Sequence, residues 1–243
     1  MSTIARTGLS AALWATCCAF ASVAFAGTFG LSPMRVELSG AAPTAVVTVD
    51  NSGDAPVTIQ VQARDWTQRD GTDVYDETRR FIVSPPIFTI PPGKRQIVRV
   101  ALRGEPPKGN EGAHRLIFRE VPLTQEASGG VAFRIAVGMN IPLFVAPSTG
   151  PATPVPAYSV ETGPDGAMRI RIANDGNGHL RLANLTVAQG GEALATREVL
   201  VVLPGAFAIV ELPKDRVVPD RPLQVRAQSR GGAVDLSLVA ARP

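Results

Sequence analysis

The chain has 243 residues, 45% of them hydrophobic and 19% charged, with a formal net charge of +3. So small a charge gives no electrostatic footprint for nucleic acid. Aromatic residues make up only 5% and no basic stretch is interleaved with them, which leaves no stacking platform for single strands either.

Arg6 precedes an apolar, Ala-rich run from Leu9 to Phe25 that closes on Ala24-Phe25-Ala26. A charge, an apolar segment and a small-x-small site in that order predict a signal peptide over residues 1–26, cleaved after Ala26. The run is at the short end for a bilayer span. The chain is therefore expected to be exported and soluble. The only cysteines, Cys17 and Cys18, fall inside this leader. The remainder then has no thiol for a disulfide or a thiolate metal site. Its length suits two domains with adequate cores and no covalent staples.

Beyond the leader the period is two almost everywhere. Val47 and Val49 alternate with Thr48 and Asp50; Val57, Ile59 and Val61 alternate with Thr58, Gln60 and Gln62. Val98, Val100 and Leu102 alternate with Arg99 and Arg103, and Ile170 and Ile172 with Arg169 and Arg171. Half-buried antiparallel strands require this alternation. Turn signals separate the runs, among them Asn51-Ser52-Gly53, Asp70-Gly71, Pro91-Pro92-Gly93, Asn174-Asp175-Gly176 and Gly231-Gly232. The class is all-β, built of β-sandwiches. The Pro-rich stretch 148–154 reads as a short stiff linker. It divides a first sandwich, residues 27–147, from a second, residues 155–243. Candidate strands of the second lie at 167–173, 179–188, 192–202, 207–212, 223–228 and 233–240.

The longest run is Val131 to Val145. Val131, Phe133, Ile135, Val137, Met139, Ile141 and Leu143 share one face, and Ala132, Arg134, Ala136, Gly138, Asn140 and Pro142 the other. Thirteen alternating residues span roughly 40 Å, against about five or six residues in an ordinary strand. A long core strand would look the same. Pro142, however, lacks an N–H and suits an edge or a strand end. An apolar edge left unblunted suggests that its pairing is used, because proteins normally suppress such edges.

Nothing points to catalysis. His114 and His179 are far apart in sequence, no nucleophile-elbow motif is present, and no carboxylates have calcium-loop spacing. No metal, cofactor or small-molecule substrate is expected. Asp70-Gly71-Thr72-Asp73 reads as a hairpin turn, and Trp66 as a residue packed under a sheet.

Several segments, taken in order, resemble the periplasmic pilus-assembly chaperones of the PapD-like family. They are Leu31-Ser32-Pro33-Met34-Arg35-Val36, Val49-Asp50-Asn51-Ser52-Gly53, Phe81-Ile82-Val83-Ser84-Pro85-Pro86, Ile90-Pro91-Pro92-Gly93, Arg119-Glu120-Val121-Pro122 and Ile141-Pro142-Leu143-Phe144. The resemblance implies two immunoglobulin-like sandwiches in a boomerang arrangement. It also implies a function: binding and folding of pilus subunits by donor-strand complementation, then delivery to an outer-membrane usher. The donor-strand residues it implies are Phe133, Ile135 and Val137, flanked by Val131, Met139 and Ile141. A pair of basic residues would anchor the subunit's C-terminal carboxylate. One matches Arg35. The other aligns with Pro142, so this chain departs from the family there. Arg115 is the replacement candidate, with a plain solvated charge as its competing reading; Arg119 and Arg134 are weaker candidates. The Asn174-Asp175-Gly176-Asn177 style of the second half is similar to the branch that builds archaic-type pili. The free strand is expected to make the unbound protein self-associate as a self-capping dimer. Two other classes stay in view: a structural pilus subunit and an exported carbohydrate-binding β-sandwich. The first calls for a single incomplete domain, usually with a disulfide; the second calls for exposed aromatics or paired carboxylates.

Overall fold

The computed structural model describes residues 29–121, 138–163 and 166–239. The expected leader, and residues Val131 to Val137 of the long run, lie outside the described residues. Every described element is a strand.

The first part of the chain forms β1 (Phe29–Ser32), β2 (Val36–Leu38), β3 (Thr44–Asn51), β4 (Val57–Arg69), β5 (Thr72–Glu77), β6 (Phe81–Ser84), β7 (Ile87–Ile90), β8 (Arg95–Leu102), β9 (Gly112–Glu120) and β10 (Gly138–Val145). One sheet has the order β1-β3-β8-β6; the other has β2-β10-β9-β4-β5, with β7 also beside β4. Alternation decides which faces meet. Val47, Val49, Val98 and Val100 of the first sheet are fully buried against Ile59, Leu116, Phe118 and Leu143 of the second. The outward positions include many polar residues, as expected of strands with one wet face, though Val46, Ile82, Ile87 and Ile97 are exposed apolar side chains.

The second part forms β11 (Pro156–Thr162), β12 (Met168–Asn174), β13 (Leu180–Gln189), β14 (Glu192–Val202), β15 (Phe207–Glu211), β16 (Leu223–Ser229) and β17 (Gly232–Leu238). Its sheets are β11-β12-β15 and β14-β13-β16-β17. Ile170, Ile172, Leu182, Val187, Val210 and Val225 fill a separate core. The architecture is thus two β-sandwiches of immunoglobulin-like class, all-β as the alternation implies.

The two sandwiches share one corner device. Asn51, almost wholly buried, donates through Nδ2 to the carbonyls of Ala55 and Ile90, and its Oδ1 accepts from Gly53 N–H. Asn174, also buried, donates to Gly178 and Val202 and accepts from Gly176 N–H. Each Asn backbone also pairs with a Pro-Gly turn: Asn51 with Gly93 and Lys94, Asn174 with Gly205 and Ala206. A buried carboxamide satisfied on both sides fixes where each strand ends. This repetition is a finding that alternation alone does not reveal.

The chain between the sandwiches is strapped down. Oδ1 of Asn174 accepts from Val155 N–H and Oδ1 of Asn177 from Thr153 N–H, while Thr153 O accepts from the N–H groups of Asn177 and Gly178. A Cβ at Gly178 would meet the Ala152 backbone at 2.6 Å, and one at Gly176 the Val155 nitrogen at 2.5 Å. Only glycine leaves room for this strap.

Inside the first sandwich, buried His114 places Nδ1 2.7 Å from Asp65 Oδ1. Burial holds its imidazole below the usual histidine value; Asp65 pulls the other way, and Arg80 adds to the fall. The folded state thus keeps His114 neutral, with Nδ1–H donating to Asp65.

Asn174→Ala is expected to cost about 2–4 kcal/mol by orphaning buried carbonyls and N–H groups. Hydrogen exchange should quicken in β12, β13 and β14 while β3 and β8 stay slow, and Asn51→Ala should do the reverse. Equal acceleration in both sandwiches would refute independent corners. Because His114 has a lowered folded value, the unfolded chain takes up its proton first on acidification. Stability from this group should be present at neutral pH and lost below about pH 6.5. Urea midpoints measured down to about pH 5 should fall less steeply in His114→Gln; an unchanged slope would remove His114 as the cause.

Candidate functional site

The described half of the long strand has one paired side and one partly open side. β10 pairs antiparallel with β9 along its whole length, from Gly138 opposite Arg119 to Val145 opposite Gly112. On its other side β2 joins it in parallel only from Leu143 opposite Val36 onward. Among the described residues, Gly138 to Pro142 therefore have no strand on that side. Pro142 falls where a missing N–H costs no ladder bond there, in keeping with the edge expected of it. The apolar face of this segment turns inward: Ile141 and Leu143 are buried in the core of the first sandwich, and Met139 is half-buried against it. The side chain of Ile141 is thus already used within this chain.

The sandwiches meet through a small core of Trp66, Phe144 and Leu203. His179 stacks on Phe144 with ring centroids 3.7 Å apart and planes 2° from parallel. Its Nδ1 lies 2.6 Å from Glu111 Oε2, which also accepts from the His179 backbone N–H. The side chain of Gln68 behaves like a piece of strand: Nε2 donates to Val201 O at 2.9 Å and Oε1 accepts from Leu203 N–H at 2.9 Å. At the tip of the β4–β5 hairpin, Asp70 and Gly71 have positive φ, as a tight turn there requires. Trp66 is buried as expected of it, but at this junction and not beneath its own sheet.

Beside the junction lies an open cleft of about 1100 Å³ with walls from both sandwiches. Arg35, Arg115 and Arg181 line it, together with Trp66, Phe144 and Val199. Arg115 sits on β9 directly opposite Pro142. Where the sequence lacks a cation on β10, the adjacent strand thus supplies one. Its guanidinium lies 3.7 Å from the Trp66 ring centroid and 6.0 Å from that of Tyr75. A cation–π contact of this kind holds an arginine without neutralising it. Buried Arg115 Nε has no hydrogen-bond partner among the described residues, and neither does Trp66 Nε1. Burial, and then its bond to Asp73, raise the pKa of Tyr75, while neighbouring Arg115 pulls it down.

Arg35 is differently placed. It enters the cleft just before β2 and pairs with Glu37 at 2.9 Å; Glu37 in turn lies 3.7 Å from Arg230 of the second sandwich. Arg119 is exposed on β9 opposite Gly138 and does not line the cleft. Arg134, Val131, Phe133, Ile135 and Val137 lie outside the described residues. The structure therefore brings Arg35 and Arg115 together, and adds three groups that sequence reasoning missed: Arg181, Gln68 and the Glu111–His179 pair. The alternation Leu180-Arg181-Leu182 does turn Arg181 outward, but nothing in it says what that outward face meets. No cluster of His, Cys, Asp or Glu among the described residues has the arrangement of a metal site.

Comparison with known proteins places the chain in a family. The family model for the pili and flagellar-assembly chaperone, PapD N-terminal domain, matches residues 28–151. The chaperone protein FimB/FhaD of Bordetella pertussis is 26% identical over 191 residues, covering 74% of this chain and 76% of that protein. Among solved structures, one chain of the CsuC–CsuE chaperone–tip adhesion subunit complex, from the archaic chaperone–usher Csu pili of Acinetobacter baumannii, superposes with a TM-score of 0.68 at 20% identity. That match covers 89% of this chain and 100% of the other. A chain of the SafA pilin–SafB chaperone complex of Salmonella enterica gives 0.64 at 18% identity, covering 88% and 98%. The E. coli chaperone DraB gives 0.59 at 19%, covering 88% and 97%. The chain belongs to the PapD-like family of pilus and fimbrial assembly chaperones.

Proposed function

We propose that the protein is a non-enzymatic periplasmic chaperone, exported through residues 1–26. In this reading it folds pilus subunits by donor-strand complementation and passes them to an outer-membrane usher. The observation that carries the reading is the division of one alternating run. Its end, Ile141 to Val145, is built into the core of this chain, and among the described residues no strand pairs with its outer edge from Gly138 to Pro142. The same apolar period continues upstream through Val137, Ile135, Phe133 and Val131. Those four side chains, with Met139 at the transition, are the proposed fillers of a subunit groove. Main-chain pairing along an open edge gives affinity and alternate side chains give specificity. Arg35 and Arg115 are the proposed anchors for the subunit's C-terminal carboxylate, since charge-assisted contacts to guanidinium are the strong ones. Without a subunit the same edge is proposed to pair with a second copy.

Partner chemistry is supported by the relatives, whose solved complexes include a pilin and a tip adhesion subunit.

Ile135→Asp should abolish recovery of a co-expressed pilus subunit from the periplasm while this protein stays folded; unimpaired recovery would sink the strand-donor reading. Arg115→Ala should weaken the subunit complex by roughly tenfold or more. Wild-type affinity in that variant would return Arg115 to an ordinary stacked surface charge.

A further inference from the structure

The cleft is much larger than one carboxylate needs, and its charge is unevenly compensated. Of the three arginines, Arg35 is held by Glu37 at 2.9 Å. Asp73, the acidic side chain in the lining, accepts bonds from Gln68 Nε2 at 2.8 Å and Tyr75 O–H at 2.9 Å, and forms no ion pair with an arginine among the described residues. Arg115 and Arg181 likewise have no acidic partner among those residues. One belongs to each sandwich, and the cleft runs between them.

The position of Arg181 follows from its strand. On β13, Leu180 and Leu182 point into the second core, so Arg181 points out. His179 stands two residues away, just before the strand begins. It is already pressed against Phe144 of the first sandwich. Arg181 is paired across the strands with Val201, whose carbonyl receives Gln68. Both neighbours are thus pinned to the first sandwich, and the guanidinium is carried on a braced wall at the mouth of the same cleft. Arg115 is held over Trp66, while Arg181 is exposed in the lining of the same cleft; two cations with no acidic partner around one cleft favour an anion there.

We infer that Arg181 is a further anion contact of this cleft, and that a peptide carboxylate is clasped between the two sandwiches by Arg115 and Arg181. This inference rests on the proposed role of the cleft in holding the end of a polypeptide. It adds a contact from the second sandwich to a site otherwise drawn from the first. The clasp would make holding a partner's end depend on both sandwiches at once.

The test uses the exported chain from Gly27 onward, in which Trp66 is the single indole. The probe is acetyl-tetraalanine with a free carboxylate, compared with its C-terminal amide. Binding is read from the NMR signal of the Trp66 indole N–H, which lies under Arg115. The acid should shift this signal saturably at millimolar concentration and the amide should not. Arg181→Ala should weaken acid binding roughly tenfold, and Arg181→Lys should recover part of it. The urea midpoint should not change, because the side chain is exposed. If Arg181→Ala titrates like the parent, or acid and amide act alike, or the acid causes no shift, the clasp is wrong. If Arg115→Ala alone abolishes binding, the anchor proposed above survives without Arg181. The strand-donor reading stands or falls separately, on subunit recovery with Ile135→Asp.

Discussion

The packing of Trp66 at the junction is the contact on which the cleft depends. One part of the indole meets Phe144 and Leu203 and so helps to join the sandwiches. Its ring face carries the Arg115 guanidinium. A cation in the cleft and the cohesion of the two halves therefore share one side chain. Around it, Gln68, Glu111 and His179 satisfy backbone and ring groups that would otherwise be buried without partners. Interfaces between domains of one chain are often loose and polar. Here the apolar centre, the stacked rings and the glycine-lined strap all restrict movement.

Charge in the cleft follows from this scaffold. Stacking holds Arg115 in place without an acidic partner among the described residues, whereas an ion pair would hold it by neutralising its charge. Arg35 shows the second arrangement, already engaged with Glu37. Residues of one type in one cleft are thus in different states before any partner arrives. Their neighbours set that difference: an aromatic ring in one case and a carboxylate two residues away in the other.

Much of the fold was legible because its period is regular. The six strands expected in the second half correspond to β12 through β17, since alternation and Gly-containing turns mark each of them. The short β5, β6 and β7 were not legible; four to six residues with mixed exposure carry too little periodic signal. In the site, Arg115 could be chosen because it stands on the strand before the long run, and the register then sets it against Pro142. Arg181 could not be. Its outward direction is written in Leu180 and Leu182, but the approach of the two sandwiches depends on contacts more than a hundred residues apart, such as Gln68 with Val201. The shared Asn51 and Asn174 corners were visible only as separate turns, because their likeness lies in the partners of the carboxamides.

The way β10 is seated has a consequence for information as well as for affinity. Ile141, Leu143 and Val145 are locked in the core, while β9 and β2 grip the same end of the strand. A slip of one residue would turn these three outward and drive Asn140 and Pro142 inward, so the phase of the strand cannot drift. In the proposed donor-strand reading, a chain that pairs with the edge left open among the described residues adopts that phase. The protein then acts as a ruler whose zero mark is set by its own core, imposing an alignment on a strand that has none of its own.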